Sequence, residues 1–192
     1  MKKLEEYITS INDFPKKGII YRDVTSVLED KDGLKLAIDS MQVLIKNIDF
    51  EVVVAPESRG FIFGMPIAYN LNKGFVPVRK PGKLPREVIS QDYELEYGSS
   101  TLQIHKDAIK KGDRVVIIDD LMATGGTTKA IVKLVEKLGG KVVLICSLIE
   151  LVDLNARELL KDYNIKSCVK YKGEWLWKEL ELLQQWMKKC NK

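Results

Sequence analysis

The chain has 192 residues, and its 31 lysines and arginines against 27 aspartates and glutamates leave a formal charge of +4. Hydrophobic residues make up 45% and charged residues 30%, a globular composition that excludes long disorder, collagen-like repeats and a disulfide scaffold and suits one domain with at most a small appendage. The basic surplus is small and interleaved with acids, which argues against a nucleic-acid stripe and leaves room for an anionic small molecule.

The N-terminus, MKKLEEYITS, places Glu5 and Glu6 where a secretory signal would have its apolar core. The next stretch, about 9 to 28, carries Pro15, Gly18 and few helical cues, and is expected to form an accessory flap, or hood. From 31 to 48, Leu34, Ala37, Ile38, Met41, Leu44, Ile45 and Ile48 recur every three or four residues, the stripe of an amphipathic helix. It runs into the β-branched Val52-Val53-Val54, then Ala55-Pro56, a loop at Glu57-Ser58-Arg59-Gly60, and an apolar helical stretch from Phe61 to about Leu71. A short strand from Phe75 to Val78 precedes the basic, Pro/Gly-punctuated segment Arg79 to Arg86, which must be loop. The span from Lys80 to about Tyr93 has little apolar area to bury and is expected to be mobile. Leu102 to Lys106 reads as strand, with the single histidine, His105, in a structural role.

The alternation then repeats. Val115 to Ile118 is a continuous apolar strand, Asp119 to Thr128 a small-residue turn, Ala130, Ile131, Leu134, Val135 and Leu138 a helical stripe, and Val142 to Ile149 a further strand. These runs are strand-length and far below the roughly 20 residues that span a bilayer; no membrane segment is expected, and the cytoplasm is the expected compartment. The three cysteines, 146, 168 and 190, are odd in number and form no Cys-x-x-Cys pair, so neither a disulfide framework nor a zinc site is suggested. Cys146 reads as a small buried hydrophobe. Glu150, at the carboxyl end of its strand, suits either a structural hydrogen bond or a substrate role. Unbroken apolar strands alternating with helices imply an α/β fold: a parallel sheet covered on both faces, with ligands at the carboxyl ends of its strands. From Gly173 onward Leu176, Leu180, Leu183 and Met187, flanked by Trp175, Leu182 and Trp186, would share one helical face, which fits core packing better than a partner-binding role.

The sharpest chemical signal is Val115 to Thr128. A buried strand delivers Asp119 and Asp120 to its carboxyl end, and Ala123-Thr124-Gly125-Gly126-Thr127-Thr128 follows just before a helix. Backbone N–H groups of such a turn, the helix dipole and the threonine hydroxyls form a phosphate cradle. It is not a Walker A loop, because no lysine occurs in it before Lys129. The paired acids would repel phosphate, so ribose hydroxyls or a hydrated metal are their natural partners.

At this point the chain resembles the type I phosphoribosyltransferases, whose signature is a hydrophobic strand, two acids and a Thr-Gly-Gly-Thr-like loop. Further segments are similar to the adenine-using branch of that family: Phe14-Pro15-x-x-Gly18 leading to Tyr21-Arg22-Asp23-Val24-Thr25, Pro56 to Phe61, Pro77 to Lys80 with Gly82-Lys83-Leu84-Pro85, and Leu95-Glu96-Tyr97-Gly98. The resemblance covers residues 1 to about 171 and implies a type I fold with a small N-terminal hood, 172–192 being an added C-terminal helical extension. It also implies a homodimer and a pentosyl transfer with Mg²⁺ as cofactor. Adenine would react with 5-phosphoribosyl 1-diphosphate to give AMP and pyrophosphate. By the same resemblance Ala123, Thr124, Gly125, Gly126 and Thr127 would hold the 5′-phosphate and Asp119 and Asp120 the ribose. Glu57, Ser58, Arg59, Arg79, Lys80 and Lys83 would take the pyrophosphate, with Arg59 also catalytic. Glu96, beside Tyr97 in a flexible loop, would be the acid/base. Ile20 and Leu151 would sandwich the base while the Arg22 backbone reads its edge. Mg²⁺ would ride on substrate phosphates with no direct protein ligand. Two alternatives stay open: a regulator that keeps the fold to sense nucleotides, and a same-fold enzyme for another nucleobase.

Overall fold

A computed structural model describes residues 2–15, 17–95 and 98–172. The expected C-terminal helix therefore lies outside the described residues. Five strands form one parallel sheet: β3 (Val52–Pro56), β4 (Gly74–Val78), β7 (Arg114–Met122), β8 (Lys141–Leu151) and β9 (Ile165–Tyr171), in the order β4-β3-β7-β8-β9. Its helices are α2 (Lys31–Ile45), α3 (Arg59–Asn70), α4 (Gly126–Lys137) and the one-turn α5 (Ala156–Leu159).

The β-branched runs explain the layering, because successive strand residues face opposite sides. Val53, Val116 and Ile118 join Met41 and Ile45 of α2 and Phe63 and Ile67 of α3 in one core. Val52, Val54, Val115 and Ile117 face the other way, onto Ile131, Leu134 and Val135 of α4. A strand buried on both faces has no polar positions to show, which is why these runs read as unbroken. α2 starts where Asp30 accepts from the Asp32 and Gly33 amides at 2.8 and 3.0 Å, a side-chain cap.

The chain goes from β3 one place outward to β4 and then returns past β3 to β7. The strand order therefore reverses between β3 and β7, the switch point at which α/β sheets open a crevice. The hood is a two-stranded antiparallel sheet, β1 (Thr9–Asn12) with β2 (Ile20–Asp23), followed by a short helix, α1 (Thr25–Glu29).

The sequence expectation fails in one region. Residues 80–87 are loop, but from Val88 the chain forms β5 (Val88–Leu95), an antiparallel hairpin with β6 (Gly98–His105). The segment expected to be mobile to about Tyr93 is therefore half strand. Its apolar partners are remote in sequence: Ile89 and Tyr93 pack into the α4 core. His105, buried at the end of β6, has Nδ1 3.2 Å from an Arg86 guanidinium nitrogen.

Candidate active site

The two connections at the switch point build the site. β3 ends at Pro56, and Glu57-Ser58 leads directly into α3, whose first residue is Arg59. β7 runs on to Met122, so Asp119 and Asp120 are still strand residues, and the turn Ala123–Gly125 delivers α4 at Gly126. Glu57, Arg59, Asp119, Asp120 and the whole run Ala123, Thr124, Gly125, Gly126 and Thr127 line one cleft of about 270 Å³. The α4 dipole and its unsatisfied first amides point into that cleft, a ready anion site.

Gly125 has φ +85°, the left-handed conformation that admits glycine most readily. A Cβ there would sit 3.2 Å from Ala156 Cβ and 3.3 Å from Leu160 Cδ1, so the turn is packed from behind as well as shaped from within. At Gly60 an added Cβ would come within 2.8 Å of Pro56 and 3.2 Å of Asp119 Oδ1. Close approach between α3 and the strand ends is what brings Arg59 to the acids.

Asp120 is buried, and its Oδ2 lies 2.6 Å from Arg59 Nε. The contact is ionic and not a directed hydrogen bond, which leaves Oδ2 without a hydrogen-bond donor among the described residues. Asp119 Oδ1 accepts the Asp120 amide at 2.8 Å. Burial and the neighbouring Asp120 carboxylate push the Asp119 carboxyl well up from the usual carboxylate range. Burial disfavours the Arg59 charge, but Asp120, Tyr21 and Asp119 outweigh it and raise the guanidinium pKa further.

Glu57 is the hub of the second charged group. Its carboxylate, 8% exposed, accepts from Arg79 Nε at 2.7 Å and from the Lys80 amide at 3.2 Å, and it pairs with Lys83 Nζ at 3.1 Å. Burial works against its ionisation, yet the Arg79, Lys83 and Lys80 contacts prevail and hold the carboxyl below its usual value. Arg79 also exchanges two backbone hydrogen bonds with Gln103 of β6, tying the basic loop to the hairpin.

The remaining expected residues divide. Ser58 is exposed at the α3 N-cap, without a side-chain capping bond. Arg22 is buried, donates to Ser10 Oγ and stacks its guanidinium 3.8 Å from the Tyr171 ring centroid. Leu151 is the register partner of Tyr171 across β8 and β9, so Leu151 and Arg22 are both neighbours of Tyr171. Ile20 and Tyr21 are neighbours on β2 and so face opposite sides, and it is Tyr21 that reaches the cleft residues: Arg59 Nη1 donates to its hydroxyl at 3.1 Å. Sequence reasoning quoted Tyr21 within a segment but gave it no role; no periodicity marks a residue whose partner lies 38 positions away. Glu96 and Tyr97 lie outside the described residues. Glu150 settles as structural: Arg157 grips both its oxygens, at 2.6 and 2.8 Å, and Ser167 donates to it. No cluster of three or more potential metal-binding side chains occurs among the described residues. Nor, among them, is any helix long and apolar enough to cross a membrane.

A parallel sheet whose switch point faces a glycine-threonine anion turn with two acids and an arginine defines the phosphoribosyltransferase class, and the phosphoribosyl transferase domain family model matches residues 23–182. The chain is 64% identical over 174 residues to the adenine phosphoribosyltransferase of Lachnoclostridium phytofermentans, a match spanning 91% of this chain and all of that one. The crystal structure of adenine phosphoribosyltransferase from Thermoanaerobacter pseudethanolicus superposes with a TM-score of 0.84 at 52% identity, over 88% of this chain and 100% of that chain. The Saccharomyces cerevisiae adenine phosphoribosyltransferase, solved with adenine and an imino-altritol bisphosphate, does so at 0.80 and 35% identity, over 86% and 96%. The chain belongs to the adenine phosphoribosyltransferase family.

Proposed function

We propose that the cleft transfers the 5-phosphoribosyl group of 5-phosphoribosyl 1-diphosphate to adenine, giving AMP and pyrophosphate. The carrying observation is that the acid pair, Arg59 and the Ala123–Thr127 turn line one cleft at the switch point. Nitrogen 9 of adenine attacks the anomeric carbon as the bond to the diphosphate oxygen breaks, through an oxocarbenium-like state. The catalyst therefore needs to hold the ribose phosphate, stabilise the leaving anion and manage one proton.

The residue roles follow from chemistry and position. The amides and hydroxyls of Ala123, Thr124, Gly125, Gly126 and Thr127, at the α4 N-terminus, would hold the 5′-phosphate. Asp119 and Asp120 would take the ribose hydroxyls. Arg59, with Arg79, Lys80 and Lys83, would receive the pyrophosphate. Glu57 is better read as the anchor of that basic loop than as a phosphate contact, since its oxygens already face Arg79, Lys80 and Lys83. Glu96 would handle the proton at nitrogen 7 of the base, with Tyr97 in the same loop. Leu151, Ile20 and the Arg22 backbone would receive adenine, whose 6-amino group donates where the oxo group of guanine accepts. Support for that location is that Tyr171 has Arg22 stacked on its ring and Leu151 as its register partner on β8. Mg²⁺, carried on the substrate phosphates, would neutralise the leaving group; two adjacent carboxylates, one with an oxygen lacking a hydrogen-bond donor, suit its water shell.

We further place a homodimer and a cytoplasmic setting in this reading. α3 leaves Ile62, Met65 and Tyr69, 40%, 55% and 81% exposed, on one helical face, an apolar stripe suited to a second copy. Cys146 and Cys168 are both free thiols, as expected in a reducing compartment. Residues 172–192 would add buried apolar surface within or between subunits. A panel of nucleobases with 5-phosphoribosyl 1-diphosphate and Mg²⁺, followed by pyrophosphate release, tests the activity: adenine should be the productive base. A product with hypoxanthine or guanine alone, or with none, overturns it. Light scattering of wild type, of Met65→Lys/Tyr69→Glu and of a chain ending at residue 172 tests the assembly. A dimer that only the wild type and the truncated chain retain is the expected result for the α3 stripe.

A further inference from the structure

Arg59 is held from two sides. Its Nε lies 2.6 Å from Asp120 Oδ2, on the sheet, and its Nη1 donates at 3.1 Å to the hydroxyl of Tyr21, on the hood. One ion pair fixes where a guanidinium sits but leaves it free to turn about the contact; a second partner on another edge fixes its plane. Tyr21 can serve as that partner because its own ring is braced edge-on against Phe14, with centroids 5.3 Å apart and planes at 73°. The hydroxyl accepts from arginine and so keeps its own proton for another acceptor. The Arg59 side chain is 42% exposed and lines the cleft, so its guanidinium is accessible to a ligand there.

We infer that the Tyr21 hydroxyl is a positioning residue: it sets the Arg59 guanidinium plane for the diphosphate and thereby couples the hood to the switch point. The inference rests on the phosphoribosyl-transfer reading above. Removing the hydroxyl while keeping the ring leaves Arg59 charged and paired to Asp120 but free to rotate. Diphosphate recognition should then suffer before the fold does.

Tyr21→Phe is the test. The expected result is a rise of about 3- to 10-fold in the KM for 5-phosphoribosyl 1-diphosphate and in the calorimetric Kd for pyrophosphate, the scale of one ordinary hydrogen bond. The KM for adenine should change by less than about twofold, and the melting temperature should hold. In a cycle with Arg59→Lys, the two losses should not add, because the second variant finds no fork left to orient. Unchanged diphosphate parameters in Tyr21→Phe overturn the inference, as do equal rises in both KM values or strict additivity in the cycle. Should the wild type make no AMP at all, the transfer reading falls by itself. Pyrophosphate titration then still decides the role of the hydroxyl, which stands only if Tyr21→Phe binds more weakly than wild type.

Discussion

The cleft contains two buried acids that meet cations, and they are built in opposite ways. Glu57 is saturated: a guanidinium, an ammonium and a backbone amide all point at it, and together they pull its carboxyl below its usual value. Among the described residues Asp120 has one ion-pair partner, Arg59, and an oxygen without a hydrogen-bond donor. A saturated buried acid has nothing further to offer a ligand and acts as a frame, whereas an under-satisfied one carries a standing cost that a ligand can relieve. Glu57 thus braces the basic loop, and the Asp120–Arg59 pair is the one that the proposed reading leaves for substrate. Glu150 is as saturated as Glu57, but it serves a strand end and α5 instead of the cleft.

The largest effect is expected outside both groups, at the residue proposed to handle the proton of the base. Glu96→Gln should lower turnover by about 10²-fold or more, the usual scale for a general acid/base, with substrate affinities changed less. Single-turnover kinetics would check this, and near wild-type turnover would return the proton step to the acids of the cleft. Next in size is Gly125→Val. A β-branched residue in a left-handed turn is strained by about 1–3 kcal/mol, and its Cβ would press on Ala156 and Leu160. Affinity for AMP should fall sharply in calorimetry, and Tm should drop as well. Gly125→Ala should show the same pattern in milder form.

Glu57→Gln tests the frame directly. It removes the charge that Arg79 and Lys83 face, so pyrophosphate affinity should weaken several-fold and stability should fall by about 1–3 kcal/mol. The sign with pH is fixed by the depressed carboxyl: its stabilisation is present above the unfolded value near 4.5 and is lost as pH falls through the lower folded value. The Tm gap between wild type and Glu57→Gln should accordingly close on acidification below that range; a gap independent of pH would mean that the carboxylate charge is not what holds the loop. The smallest effect on activity is expected from Glu150→Gln. It should lower Tm while both KM values stay as in wild type, and a selective rise in the adenine KM would move Glu150 into the substrate site.

What the sequence by itself determined is local. Five of the strands, the helices packed on them and the glycine-threonine turn are legible because each rests on short-range physics: β-branched runs for buried parallel strands, three- and four-residue spacing for helix faces, and small residues where a strand turns tightly into a helix N-terminus. The acid pair and Arg59 could be named from their motifs, though motif spacing alone gave no sign that Arg59 would meet Asp120 rather than Asp119. Tertiary structure decided whatever depends on partners far along the chain. β5 looked like a loop because Ile89 and Tyr93 find their apolar contacts in the α4 core. Tyr21 looked inert because its hydroxyl meets Arg59 only once the hood lies over the sheet. Glu57 and Asp120 both read as acids near the ends of strands; how many donors reach each oxygen is set by the folding of β3, β7 and the basic loop into one place, and a sequence does not carry that count.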